Sequence, residues 1–108
     1  MNPGGGLLNL LRLGSGIGFE IDAPLAVPPV FKLISRLGEV SAAEMWEVFN
    51  MGCGFCAIVP EDRAADAVEL LAVRHPGSAV IGRCTDEEGR LRLPGLGLEG
   101  DGQGLSAV

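Results

Sequence analysis

Cys53 and Cys56 stand three residues apart in Cys53-Gly54-Phe55-Cys56, the spacing of a redox or metal-binding thiol pair. Such pairs work where a helix N-terminus or a knuckle turns both sulfurs to one side. Here they open an apolar run, residues 53–59, that ends at Pro60 and has the length of a central strand. In a strand, residues three apart face opposite ways, so the pair reads as small buried thiols. A four-ligand zinc site would need Cys53, Cys56, Cys84 and His75 to converge, and no metal site is assigned. His75 precedes Pro76-Gly77 at a helix end, where the dipole favours a structural histidine over a general base. Asp86-Glu87-Glu88 reads as a solvated turn. Trp46 and Phe49, three apart on one helix, read as core.

Two glycine-rich segments carry more information. Gly4-Gly5-Gly6 before a helical stretch is either a cluster of backbone amides for a phosphate or a flexible lead, and neither Walker nor dinucleotide spacing decides between them. In Asn50-Met51-Gly52-Cys53-Gly54, glycines at the entry of an apolar strand weaken it unless another backbone or a ligand comes close. Asn50 would then supply both a donor and an acceptor. Helix C-capping and strand entry explain that corner as well as ligand contact does.

The elements that must position these residues follow from local pattern. Residues 7–13 give a short apolar helix, and Ile17, Phe19 and Ile21 alternate as the inward side of a strand. Pro28-Pro29 starts a helix whose inward stripe is Val30, Ile34 and Leu37, with Gly38 as its stop. Ser41-Ala42-Ala43-Glu44 is a capping box for a helix through Met45, Trp46, Val48 and Phe49. A helix carrying Ala64, Val68, Leu71 and Ala72 runs from Glu61-Asp62 to Arg74-His75, with its charges placed correctly for the dipole. Residues 79–84 and 90–93 read as the two arms of a β-hairpin around the acidic turn. The result is one α/β (α+β) domain, residues 1–98, with a mixed sheet of about four strands and helices packed on it. Residues 99–108 read as a flexible tail.

The 108 residues suffice for a single core, with roughly two-thirds of the unfolded surface buried. A hydrophobic fraction of 47% and a mean hydropathy of +0.34 are rich for so small a domain, which implies an apolar face covered by another domain or subunit. No apolar run is long enough to span a membrane. The net charge of −6 excludes the polybasic footprint of a nucleic-acid binder. Three cysteines and no secretory signal pattern point to reduced thiols in the cytoplasm.

Taken jointly, Gly4-Gly5-Gly6-Leu7, Pro28-Pro29-Val30-Phe31-Lys32, Glu44-Met45, Phe49-Asn50-Met51-Gly52-Cys53-Gly54-Phe55 and Val80-Ile81-Gly82 resemble the C-terminal domain of phosphoribosylformylglycinamidine cyclo-ligases, closest to archaeal members. The resemblance runs from Gly4 to about Leu98, and residues 49–55 are its most specific part. It implies ATP-dependent closure of formylglycinamidine ribonucleotide to aminoimidazole ribonucleotide in purine biosynthesis. In that family ATP and Mg2+ are held largely by an N-terminal domain, so none is expected on this chain alone, and the chain is expected to be inactive without that partner. The resemblance also places Gly4, Gly5, Gly6, Asn50, Gly52 and Gly54 along the substrate-phosphate cleft, leaves the catalytic residues unassigned, and implies a homodimer. One departure stands out: the family's histidine and threonine before the glycines are Met1 and Pro3 here, which removes any polar role at those places. Two alternatives remain open, a stand-alone non-catalytic binding or assembly module, and a domain of a related ATP-using enzyme such as selenophosphate synthetase, thiamine-monophosphate kinase or the hydrogenase-maturation type.

Overall fold

A computed structural model describes residues 6–12 and 16–108. It contains a five-stranded mixed sheet of order β2-β1-β3-β4-β5, comprising β1 (Gly18–Glu20), β2 (Arg83–Thr85), β3 (Leu91–Leu93), β4 (Leu98–Asp101) and β5 (Gly104–Ala107). Three α-helices accompany it, α1 (Pro29–Gly38), α2 (Ala42–Val48) and α3 (Ala64–Ala72). The helical reading near the start is a 3-10 turn, Gly6–Arg12, and a second such turn, Glu61–Arg63, leads into α3.

β1 is the hinge of the topology. It pairs antiparallel with β2 and parallel with β3, the latter through Phe19 N–H to Arg90 O and Ile21 N–H to Arg92 O, both 2.8 Å. The expected hairpin between residues 79–84 and 90–93 is therefore corrected: its arms lie on opposite sides of β1. Gly18 makes the insertion possible, because a Cβ there would lie 2.7 Å from the Arg90 carbonyl oxygen and 2.9 Å from Thr85 Oγ1. Glu87 ties the connecting turn to β3 through Arg92 at 2.8 Å, so this part of the acidic turn is an ion pair rather than a bare solvated loop.

Residues 99–108, read as a tail, form most of the antiparallel pair β4–β5. Leu98 and Leu105 bury on it at 3% and 8% exposure. Glu47 on α2 accepts the Leu105 N–H at 3.0 Å, joining helix and outer strand. Period-two alternation was too short here to outweigh the glycines as a strand signal.

The core lies between the sheet, the first 3-10 turn and α2. Leu7, Leu10, Phe19, Met45, Trp46, Leu91 and Leu93 meet there, with both β3 leucines fully buried. Ser41 caps α2 as its sequence predicts, its Oγ accepting the Glu44 N–H at 3.2 Å. Phe31 and Phe49 pack ring on ring with centroids 5.8 Å apart, and Phe31 and Ile34 are the α1 residues that reach the core. The expected α1 stripe is thus corrected: Val30 and Leu37 are 54% and 71% exposed, and with Leu33 they form an outer apolar stripe. α1 has apolar residues on two sides, and periodicity cannot say which side the core takes.

Candidate functional site: the corner after α2 and its thiol pair

The chain leaves α2 through a tight corner. Asn50 accepts the Gly52 N–H on its side-chain Oδ1 at 2.8 Å, and its own carbonyl accepts the Cys53 N–H at 3.0 Å. This is the turn an asparagine makes with its own backbone two residues on. Met51 and Gly52 both have positive φ, 52° and 99°. Met51 tolerates that backbone while its side chain is buried at 7% exposure. Gly52 is required sterically as well, since a Cβ would meet Pro28 Cδ at 2.7 Å and the Ala26 carbonyl oxygen at 2.9 Å. The corner is thereby pressed against the entry to α1.

Of the expected site residues, Gly4 and Gly5 lie outside the described residues, as do Met1 and Pro3. Gly6 opens the first 3-10 turn, which packs on α2. Asn50 and Gly52 share the corner. Gly54 lies two residues beyond it, with open space where a Cβ would stand. The corner's backbone is largely self-satisfied, because the Gly52 and Cys53 N–H groups are both used internally. The Asn50 carboxamide N–H donors are different: they have no partner among the described residues, and Asn50 is exposed. The corner therefore presents a side-chain amide, held in place by the bond its other end makes.

Residues 53–59 do not form the central strand their composition suggests. They pair with no strand in the sheet, since β2 and β3 occupy both edges of β1. Phe55, Ile58 and Val59 are left exposed, Phe55 at 77%. The argument that the two cysteines face apart falls with the strand. Cys53 Sγ and Cys56 Sγ lie 3.2 Å from each other, both half-buried. The hydrogen-bond contact with Cys56 pulls the Cys53 thiol down to about 7, against an opposing effect of burial. The same contact, with burial, pushes the Cys56 thiol far up. Both sulfurs border a cavity of about 710 Å3 between this segment, α3, the end of β1 and residues 78–84. Asp22, Glu61, Arg83 and Cys84 bring the other ionisable or thiol groups to its lining. Sequence reasoning had the spacing of the thiol pair and lacked only the backbone path that brings the sulfurs together.

Among the described residues no group of three or more His, Cys, Asp or Glu side chains is placed to hold a metal ion. The His75 carbonyl accepts the Ser78 hydroxyl at 2.7 Å at the end of the α3 region, and Trp46 is buried in the core. Trp46 is thus core, as its position suggests, and His75 lies beyond α3, which ends at Ala72. No helix among the described residues is long and apolar enough to cross a membrane.

Residues 4–93 match the family described as AIR synthase related protein, C-terminal domain. The chain is 41% identical over 87 residues to a phosphoribosylformylglycinamidine cyclo-ligase of Methanopyrus kandleri, an alignment covering 81% of this chain and 24% of that protein. It is 43% identical over 96 residues to the protein of the same name from Thermococcus kodakarensis, covering 89% and 27%. A Methanosarcina acetivorans protein of that name is 38% identical over 89 residues, covering 82% and 25%. The chain spans about a quarter of the length of the curated relatives it matches.

Proposed function

This chain belongs to the family of AIR synthase related C-terminal domains, and from that premise we propose that it is the cleft-closing part of an ATP-dependent cyclo-ligase that forms aminoimidazole ribonucleotide in the cytoplasm. The observation that carries the reading is the near-40% identity to archaeal cyclo-ligases across four-fifths of the chain. The corner after α2 supports it locally. Asn50 offers amide donors to a ribonucleotide phosphate or hydroxyl, Gly52 keeps the backbone close and clear, and Gly4 to Gly6 are assigned to the same phosphate by the family resemblance alone.

The work assigned to this chain is positioning. Holding a reacting nitrogen and an amide oxygen in attack geometry replaces a large entropic cost, and charge on a phosphoryl group is stabilised by fixed donors. On this reading ATP and Mg2+ are held by an N-terminal domain. The outer stripe Val30, Leu33 and Leu37 on α1, and the exposed Phe55 and Ile58, are apolar surfaces suited to that domain or to a second copy in a homodimer.

A reconstitution assay tests this. The 108-residue chain is expected to give no turnover of formylglycinamidine ribonucleotide and ATP, and to restore turnover when mixed with the N-terminal domain of an archaeal cyclo-ligase. Turnover by the chain alone removes the claim of dependence, and a mixture no better than the N-terminal domain alone removes the catalytic reading. In the latter case the exposed stripe favours the second reading, a non-catalytic assembly module. Amide exchange then shows no ribonucleotide protection at Asn50 or Gly52.

A further inference from the structure

The family match and the corner account for Asn50 and Gly52 but give no reason for two thiols to meet in a segment that forms no strand. Cys53 and Cys56 are joined by Gly54 and the exposed Phe55, neither of which packs the connection into the core. The turn at residues 50–53 redirects the chain, and with no ladder to impose alternation the two sulfurs converge to 3.2 Å. Both lie on the lining of an open cavity and neither is fully buried, so a small reagent can reach them. Cys84, also on that lining, is exposed and has no thiol partner among the described residues.

We propose that Cys53 and Cys56 form a reversible thiol–disulfide couple, with Cys53 as the attacking and Cys56 as the resolving thiol, that reacts with low-molecular-weight disulfides entering the cavity. The Cys53 thiolate attacks one sulfur of the disulfide RSSR, making a mixed disulfide and releasing one RS−. Cys56 then gives up its proton and its sulfur attacks Cys53 Sγ, closing the intramolecular bond and releasing the second RS−. The protein dithiol is oxidised by two electrons and RSSR is reduced to two RSH, with both thiol protons accounted for on the products. Across the 3.2 Å contact either sulfur can donate to the other. The contact draws the Cys53 thiol down and pushes the Cys56 thiol up, so Cys53 is the member closer to the thiolate and Cys56 the one that keeps its proton until the mixed disulfide forms.

The closed couple would fix the four residues that follow the Asn50–Gly52 corner, so oxidation state would bear on that corner whatever ligand it serves. The inference stands on the sulfur geometry and is independent of the cyclo-ligase reading.

The test uses the reduced 108-residue chain and oxidised glutathione, with acid quenching, alkylation of the remaining thiols and peptide mapping by mass. The expected product has lost two hydrogens, carries one alkylated thiol at Cys84 and contains a linked Cys53–Cys56 peptide; dithiothreitol reverses it. Cys56→Ser is expected to stop at a glutathione mixed disulfide on Cys53, and Cys53→Ser to react at least about tenfold more slowly than the parent chain. A disulfide joining Cys84 to Cys53 or Cys56, a covalent dimer, a mixed disulfide that persists on Cys53 in the parent chain, or Cys53 and Cys56 left unoxidised in excess oxidised glutathione would each overturn the proposal. The mapping on the parent chain decides the matter even where a variant fails to fold.

Discussion

At the scale of single residues, the corner separates two roles that one asparagine performs together. Asn50 Oδ1 holds the Gly52 N–H, while its amide donors face no protein partner among the described residues. Asn50→Asp keeps the acceptor and replaces the donors with negative charge. It is expected to alter folding free energy by no more than about 0.5 kcal/mol, as a surface change does. In the reconstituted two-domain enzyme it is expected to weaken ribonucleotide use by about tenfold or more, the loss of a hydrogen bond to a charged group. Chemical denaturation and steady-state kinetics read the two effects separately. Cys53 gives a pH prediction of definite sign. Its thiol is drawn down to about 7 from an ordinary 9.0, so its alkylation rate should climb as pH rises through about 7, with Cys56 silent over the same range because its thiol is pushed the other way. The cavity charges around them are Asp22, Glu61 and Arg83. Rate profiles resolved by peptide mass check the order, and Cys56→Ala should move the Cys53 midpoint upward by removing the hydrogen-bond partner.

At the scale of elements, backbone conformation and caps set the costs. Gly52→Ala combines a positive φ with a Cβ 2.7 Å from a proline ring carbon and 2.9 Å from a carbonyl oxygen. It should destabilise by about 1–3 kcal/mol, read as a lowered urea midpoint at unchanged slope. Ser41→Ala removes the α2 cap and should cost about 0.5–2 kcal/mol. The Ser41 cap was legible from the sequence alone, because it is a local bond between residues three apart. The α1 stripe was not. Ile34 faces inward as expected, but Phe31 turns to the core beside Phe49, which the end of α2 supplies. Residues 53–59 show the same limit from the other side, since their apolar run has strand composition but the edges of β1 were already taken.

At the scale of the whole molecule, the distribution of burial is uneven. The first 3-10 turn, α2 and β3 supply much of the core, whereas neither α1 nor α3 contains a fully buried residue. Leu37, Leu70 and Val73 are each more than 70% exposed. The radius of gyration, 13.9 Å, slightly exceeds the roughly 13 Å expected for a packed chain of this length. On the proposed function, this exposed apolar surface is what an N-terminal domain would cover. Replacing Leu33 and Leu37 with serine should leave the stability of the isolated chain within about 0.5 kcal/mol per site. The same change should weaken its association with an N-terminal cyclo-ligase domain in sedimentation or light-scattering titrations. A control in the core behaves oppositely: Leu91→Ala should cost about 2–5 kcal/mol without any partner present.

The sequence by itself determined the class of fold, the existence of three α-helices, the α2 cap and the family, because each is written in local spacing or in a contiguous motif such as residues 49–55. It also supplied the thiol pair and the Asn50 corner as candidates. Tertiary structure alone decided that β1 lies between β2 and β3, that the glycine-rich end continues the sheet, and which face of α1 is buried. It also decided that Cys53 and Cys56 touch. Each of those outcomes depends on which strand edge or side chain, distant in sequence, arrives beside the segment, and a local pattern holds no record of its neighbours in space.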